Sequence, residues 1–191
     1  QRNLARFRAL IVATGGEFVE VKTCSELESV HAQGGHGVLF SIQGGNALAA
    51  APEGACSIPD DVITRITLVH LTSSCYGVTS SPLRFGGWNK GLTKKGHEFV
   101  EQCNAKNIFV DLAHINPAGF WDALSTHAND KPIIVTHTGV SGVRKHWRNL
   151  DDAQIRAVAD SGGVVGIIFA GAFLKRRRGP KASRGRRIIA F

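Results

Sequence analysis

Two short apolar runs in this 191-residue chain each end on a histidine: IFVDLAH closes at His114 and PIIVTH closes at His137. Each run is short and rich in apolar or β-branched residues, and turn or helix-start chemistry follows it, as in a buried parallel strand. Two earlier runs also close on polar residues. GVLFSIQGGN carries Gln43 and ITRITLVH ends at His70. Side chains at the carboxyl ends of parallel strands converge on one mouth, where α/β folds place their chemistry. Imidazole is also the commonest protein ligand for transition metals. The pattern predicts a metal or acid/base site at the top of a parallel sheet.

The segments between these runs read as helices. SELESVHAQG has helix-former composition, with Ser25 as the expected N-cap and Gly34 as the stop. TKKGHEFVEQCNAKN opens on Thr93 as N-cap, with Phe99, Val100 and Cys103 on its apolar face. NPAGFWDALSTHAND opens on Asn116 with Pro117 at the first helical position. LDDAQIRAVADSGG carries acids in its first turn and glycine after its end. SSCYGVTSSPLRFGGWN reads as a long loop after a strand. Strand and helix in alternation argue for βα units and a parallel sheet. No GxGxxG follows a strand, so a dinucleotide fold has little support, and histidines at successive strand ends favour a (β/α) TIM-type barrel. A full barrel needs roughly 250 residues. About six strands are countable by these patterns, so the expectation is an incomplete barrel, its first and last strands missing.

Charge is unevenly placed. The formal net charge is +8, but residues 175–187 (KRRRGPKASRGRR) hold eight basic residues and no acid. Removing those eight from the 23 lysines and arginines leaves fifteen, against fifteen acids. The high pI therefore reports the end of the chain, which reads as a solvated, disordered basic tail. A nucleic-acid role would rest on this tail alone, which lacks interleaved aromatics. No apolar run approaches a membrane span, and no signal peptide is evident. The chain starts at Gln1 and has no Met, so the expectation is a processed product or a piece of something longer. Cys24, Cys56, Cys75 and Cys103 show no CxxC or zinc-finger spacing. They read as free or buried thiols, which favours a soluble protein of a reducing, cytoplasmic compartment over a secreted one without fixing its localisation.

In order and with sensible spacing, FSIQGGNAL, ITLVHLTSS, NKGLTKKGHEFVEQCN, VDLAHINPAGFWDAL, PIIVTHTGV and HWRNLDDAQIRAVADSGGVVGIIF resemble the membrane dipeptidase (renal dipeptidase) family, from about Val19 to Leu174. The resemblance implies a (β/α) barrel with two bridged zinc ions that cleaves dipeptides through metal-activated water. It implies that residues 1–174 form a partial metallohydrolase barrel followed by the 175–191 tail. His114 and His137 look like two histidine ligands of one zinc. His70 looks like the histidine that contacts substrate and steadies the oxyanion, and Arg148 like the residue that binds the substrate carboxylate. Asp111, three residues before His114, is expected on the opposite side of its strand in a structural role.

The chain also departs from the family pattern. The bridging glutamate sits in a G-x-E-G-G-H context, whereas this chain reads Ser41-Ile42-Gln43-Gly44-Gly45-Asn46. Gln43, the degenerate metal position, is neutral and cannot bridge two cations as a carboxylate does. No H-x-D pair occurs, and the late aspartate that handles the proton is absent. The reading is a dipeptidase-like zinc hydrolase, weak or inactive in this chain and holding one zinc or none. Its alternatives are a vestigial barrel serving as a binding module, or a nucleic-acid binder acting through the tail. The expected partner is a dipeptide-like small molecule, with no membrane, and a homodimer is an open possibility. His31, His36, His97, His127 and His146 read as surface or helix-face residues.

Overall fold

In the sheet that positions the site, buried β-branched residues alternate with polar or exposed ones. A computed structural model describes residues 2–82, 87 and 89–174. Ahead of the sheet lies a small unit. It comprises α1 (Arg2–Ala13), β1 (Phe18–Glu20), α2 (Cys24–Ala32) and β2 (His36–Val38), with β1 and β2 pairing in parallel. The Arg8 guanidinium donates to both carboxylate oxygens of Glu20, which pins α1 to β1. Thr23, rather than Ser25, caps α2. Its hydroxyl accepts from Glu26 N–H while the Glu26 carboxylate accepts from Thr23 N–H. Both Thr23 and Ser25 have a glutamate three residues on (Glu26 and Glu28), and the capping box that forms is the Thr23–Glu26 one.

The main sheet contains β3 (Ser41–Gln43), β4 (Arg65–Thr67), β5 (Phe109–Asp111), β6 (Ile134–Thr138) and β7 (Val164–Ile167). All four pairings are parallel, and the spatial order follows the sequence. Ile42, Ile66 and Val110 lie in register across three strands, and Val135 pairs with Val165. These residues form one core with Phe99, Val100 and Cys103 of α3 (Lys94–Ala105), Phe120 and Ala123 of α4 (Pro117–Thr126), and Val158 of α5 (Asp152–Asp160). On the other face Ser41, Gln43, Phe109, Thr136 and Val164 are exposed. The helices thus cover one face only. Sequential order with one covered face is the winding of a barrel wall, because a doubly wound sheet reverses order and covers both faces.

The expected α/β class and parallel sheet are present, with the strand order of a barrel wall. Among the described residues the sheet does not close, and β3 and β7 each have one strand neighbour. The strands are also shorter than expected. GVLFSI divides at Leu39–Phe40, so that β2 pairs with β1 while β3 pairs with β4. ITRITLVHL contributes only Arg65–Thr67 to the ladder, which leaves His70 beyond the strand. Thr93 and Asn116 cap α3 and α4 as their sequences predict, accepting from Gly96 N–H at 3.1 Å and Gly119 N–H at 2.9 Å. Each such cap stabilises its helix by about 1 kcal/mol. A four-residue helix, α6 (Gly171–Leu174), ends the described chain. The basic tail of residues 175–191 lies outside the described residues. No described helix is long and apolar enough to cross a membrane.

Candidate functional site

The five residues singled out by sequence meet at the carboxyl edge of the sheet. Gln43 closes β3, His70 and His114 lie three residues past β4 and β5, His137 sits in β6, and Arg148 comes from the loop after β6. His114 Nε2 is 2.8 Å from His137 Nε2, and Gln43 Nε2 is 3.3 Å from the same atom. The His70 ring stands edge-on to His114, with centroids 4.5 Å apart. An Arg148 N–H donates to the His137 carbonyl at 2.8 Å.

The loop after β4 secures this cluster. The Thr79 hydroxyl contacts the carbonyls of His70 (2.6 Å) and His114 (3.2 Å), and Ser80 N–H donates to His114 O at 2.7 Å. Residues 76–81 of this loop are buried, and Thr79 and Ser80 stitch it to two site residues. Beneath it, Gly45 leaves room for Tyr76. A Cβ at position 45 would stand 2.5 Å from the Tyr76 ring and 2.6 Å from Leu68 O.

Burial controls the charge of the site. It holds the His114 imidazole down to about 3, with the nearby Arg148 charge acting in the same direction. His137 is lowered in the same way, first by burial and then by Arg148. Both rings are therefore neutral near pH 7, which is the form that ligates a metal. Arg148 is only 5% exposed. Burial lowers its guanidinium to about 10, so it remains a cation at neutral pH. No carboxylate among the described residues pairs with it. The neighbouring acids do not neutralise it: the Asp151 carboxylate caps α5, and Asp152 lies in that helix's first turn without an ion pair to Arg148.

The donor set decides which metal arrangement fits. Two imidazole nitrogens on one tetrahedral zinc, at 2.0–2.1 Å each, stand about 3.4 Å apart. The two Nε2 atoms of His114 and His137 stand 2.8 Å apart, a hydrogen-bond distance that would have to lengthen for both to share one ion. Asp111, the carboxylate that reaches the cluster, is already enclosed by Arg65, Thr136 and the Ala113 N–H. Among the described residues no group of three His, Cys, Asp or Glu side chains is placed to hold an ion. Of the ligand types a zinc takes, the cluster offers two imidazoles, and its nearby carboxylate is already engaged, so the residues present do not fit a carboxylate-bridged pair.

Asp111, Thr136 and Arg65 were missed as site residues. The expectation that Asp111 faces away from His114 fails because the chain leaves the strand after Asp111 and turns left-handed at His114, with φ of 72°. That conformation costs a non-glycine residue of order 1–3 kcal/mol. His114 consequently reaches His137 directly and Asp111 reaches it through Thr136. His114 meets its Nε2, and Asp111 meets the Thr136 hydroxyl that sits on its Nδ1. The surface reading of His127 is also corrected. It is 7% exposed, because the end of α4 folds it under Lys131, whose carbonyl it contacts.

These features place the chain among α/β proteins with barrel-type winding and a polar site at the strand ends. It belongs to the membrane dipeptidase family (peptidase family M19), whose sequence profile matches residues 2–186. A solved metallopeptidase from Rhodobacter sphaeroides, liganded with a phosphinate mimic of the dipeptide L-Ala-D-Ala, is similar over 90% of this chain and 49% of its own, with 29% identity and a TM-score of 0.74. The dipeptidase AC of family M19 gives 29% identity and a TM-score of 0.75 at the same coverage. An uncharacterised Klebsiella pneumoniae protein encoded in the pqqA 5' region is 41% identical over 85 residues, 44% of this chain and 31% of that protein. The chain spans about half the length of the solved relatives it matches.

Proposed function

We propose that these residues form the substrate-recognition part of a dipeptidase-type site, and that this chain alone hydrolyses dipeptides weakly or not at all. The observation that carries the reading is Arg148, a buried guanidinium with no carboxylate partner among the described residues. An unpaired buried cation is costly, and a substrate carboxylate would relieve that cost through the guanidinium fork. His70, edge-on to His114, would then be the donor to the carbonyl oxygen of the bound peptide. The relative crystallised with an L-Ala-D-Ala mimic supports a dipeptide as the ligand. Weak hydrolysis follows from Gln43, whose amide can neither bridge two cations nor accept a proton from water. A zinc held by His114 and His137 would supply Lewis acidity at this edge.

Calorimetric titration with L-Ala-D-Ala and with its C-terminal amide tests the reading. The free acid should bind at least tenfold more tightly than the amide, and Arg148→Gln should erase the difference while Arg148→Lys keeps part of it. Equal binding of acid and amide to the unsubstituted chain would overturn the assignment. Zinc-supplemented turnover in the ordinary enzymatic range, about 1–1000 per second, would overturn the weak-hydrolysis half.

A further inference from the structure

We infer that Asp111 and Thr136 are positioning residues that lock His137 in the Nδ1–H tautomer and keep its Nε2 lone pair aimed into the site. The inference stands apart from the proposed function, since it concerns where a proton sits whether or not a dipeptide binds.

The argument is a count of hydrogens. The Asp111 carboxylate is fully buried and only accepts. Its Oδ1 takes Ala113 N–H at 3.0 Å and Thr136 N–H at 3.1 Å. Its Oδ2 takes the Arg65 guanidinium and the Thr136 hydroxyl, the latter at 2.6 Å. Thr136 has one hydroxyl proton, and Asp111 holds it. What the Thr136 oxygen offers His137 Nδ1, 2.9 Å away, is therefore a lone pair. Nδ1 must carry the proton to make that contact. A neutral imidazole has one N–H, so Nε2 is left as an acceptor. Its neighbours agree. His114 Nε2 and the Gln43 amide nitrogen both face it as donors. His114 Nδ1 is then a lone pair, and no donor meets it.

Adjacent residues on a regular strand point to opposite faces, so Thr136 and His137 could not normally share a contact on one face. A bulge permits it. Val135 pairs with Val165 and Thr138 with Ile167, so two residues of β6 stand opposite Gly166 alone. Bulges re-aim side chains beside functional sites. This one turns the Thr136 hydroxyl and the His137 ring toward each other above Asp111.

Long-range proton–nitrogen NMR on histidine-labelled, metal-free protein, above the ordinary histidine titration range, reads the tautomer directly. His137 should show a protonated-type Nδ1 and an unprotonated-type Nε2. Thr136→Val, nearly isosteric at an exposed position, should shift His137 toward the Nε2–H form common in free histidine, and Thr136→Ser should restore the lock. Asp111→Asn should also release it if that variant folds. An Nε2–H His137 in the unsubstituted chain, or a tautomer unchanged by Thr136→Val, would overturn the inference.

Discussion

Arg65 is the residue on which the interior of the site depends most directly. Its guanidinium is the only positive charge that pairs with Asp111 among the described residues, and it also donates to the Ser41 hydroxyl at 2.8 Å. Asp111 has no exposed surface, so its carboxylate cannot recover hydration if Arg65 is removed. Removing one partner of a buried pair costs about 3–5 kcal/mol, whereas replacing both with neutral groups costs far less. Arg65→Met should therefore lower unfolding stability by about 3 kcal/mol. Adding Asp111→Asn to it should return a large part of that loss. Urea unfolding of both variants measures this, and a loss under about 1 kcal/mol for Arg65→Met would show the pair to be effectively solvated. Nothing local in the sequence marks Arg65, because its partner lies 46 residues away on the next strand.

At the scale of elements, the β6 bulge is the feature on which the site geometry turns, and Gly166 makes room for it. A Cβ on Gly166 would stand 2.0 Å from the Thr136 carbonyl oxygen, a backbone atom that can move only if the bulge moves. Gly166→Ala should cost roughly 1–3 kcal/mol, the usual penalty for overpacking. It should also perturb the His137 ring signals before those of distant histidines such as His31. If His137 is unaffected while stability falls, the bulge does not control the ring. The strands leading toward His114 and His137, the caps at Thr93 and Asn116, and the parallel βα alternation were legible because each rests on local pattern or capping chemistry, although β5 stops at Asp111, short of His114. The bulge was not, since its register is set by β7, some thirty residues further along the chain. Nor was the inward turn at His114, where a left-handed backbone breaks the two-residue period that sequence reasoning assumed for Asp111. The burial of Arg148 escaped for a similar reason, because a loop arginine shortly before two aspartates looks like a surface ion pair until Asp151 is seen to cap a helix with Asp152 in its first turn.

Across the whole molecule, histidines buried in the neutral form couple the fold to pH. His114 is held down to about 3 by burial, then by Arg148. His127, His137 and His146 are lowered as well, burial being the largest cause in each. Above their ordinary value of about 6.5 these rings are neutral in both folded and unfolded chains, and pH has no leverage through them. Below it the unfolded chain binds protons that the folded chain refuses, so stability falls as pH falls. For His114 that window runs from about 6.5 to about 3. Within it the loss approaches about 1.4 kcal/mol per pH unit for this one group, with the other three adding in the same direction. Glu20 and Glu26 extend the trend at the acid end. Arg8 holds the Glu20 carboxyl below its usual range, and the Lys22 and Thr23 backbone N–H groups do the same for Glu26, so each contributes stability that is lost as it is protonated. The metal-free chain should therefore show its denaturation midpoint dropping steadily from neutral pH to about pH 4, with His114→Gln flattening the upper part of that slope. A midpoint that stays level, or rises, over this range would mean that the site histidines are solvated in the folded chain, and the closed neutral cluster at the carboxyl edge of the sheet would have to be abandoned.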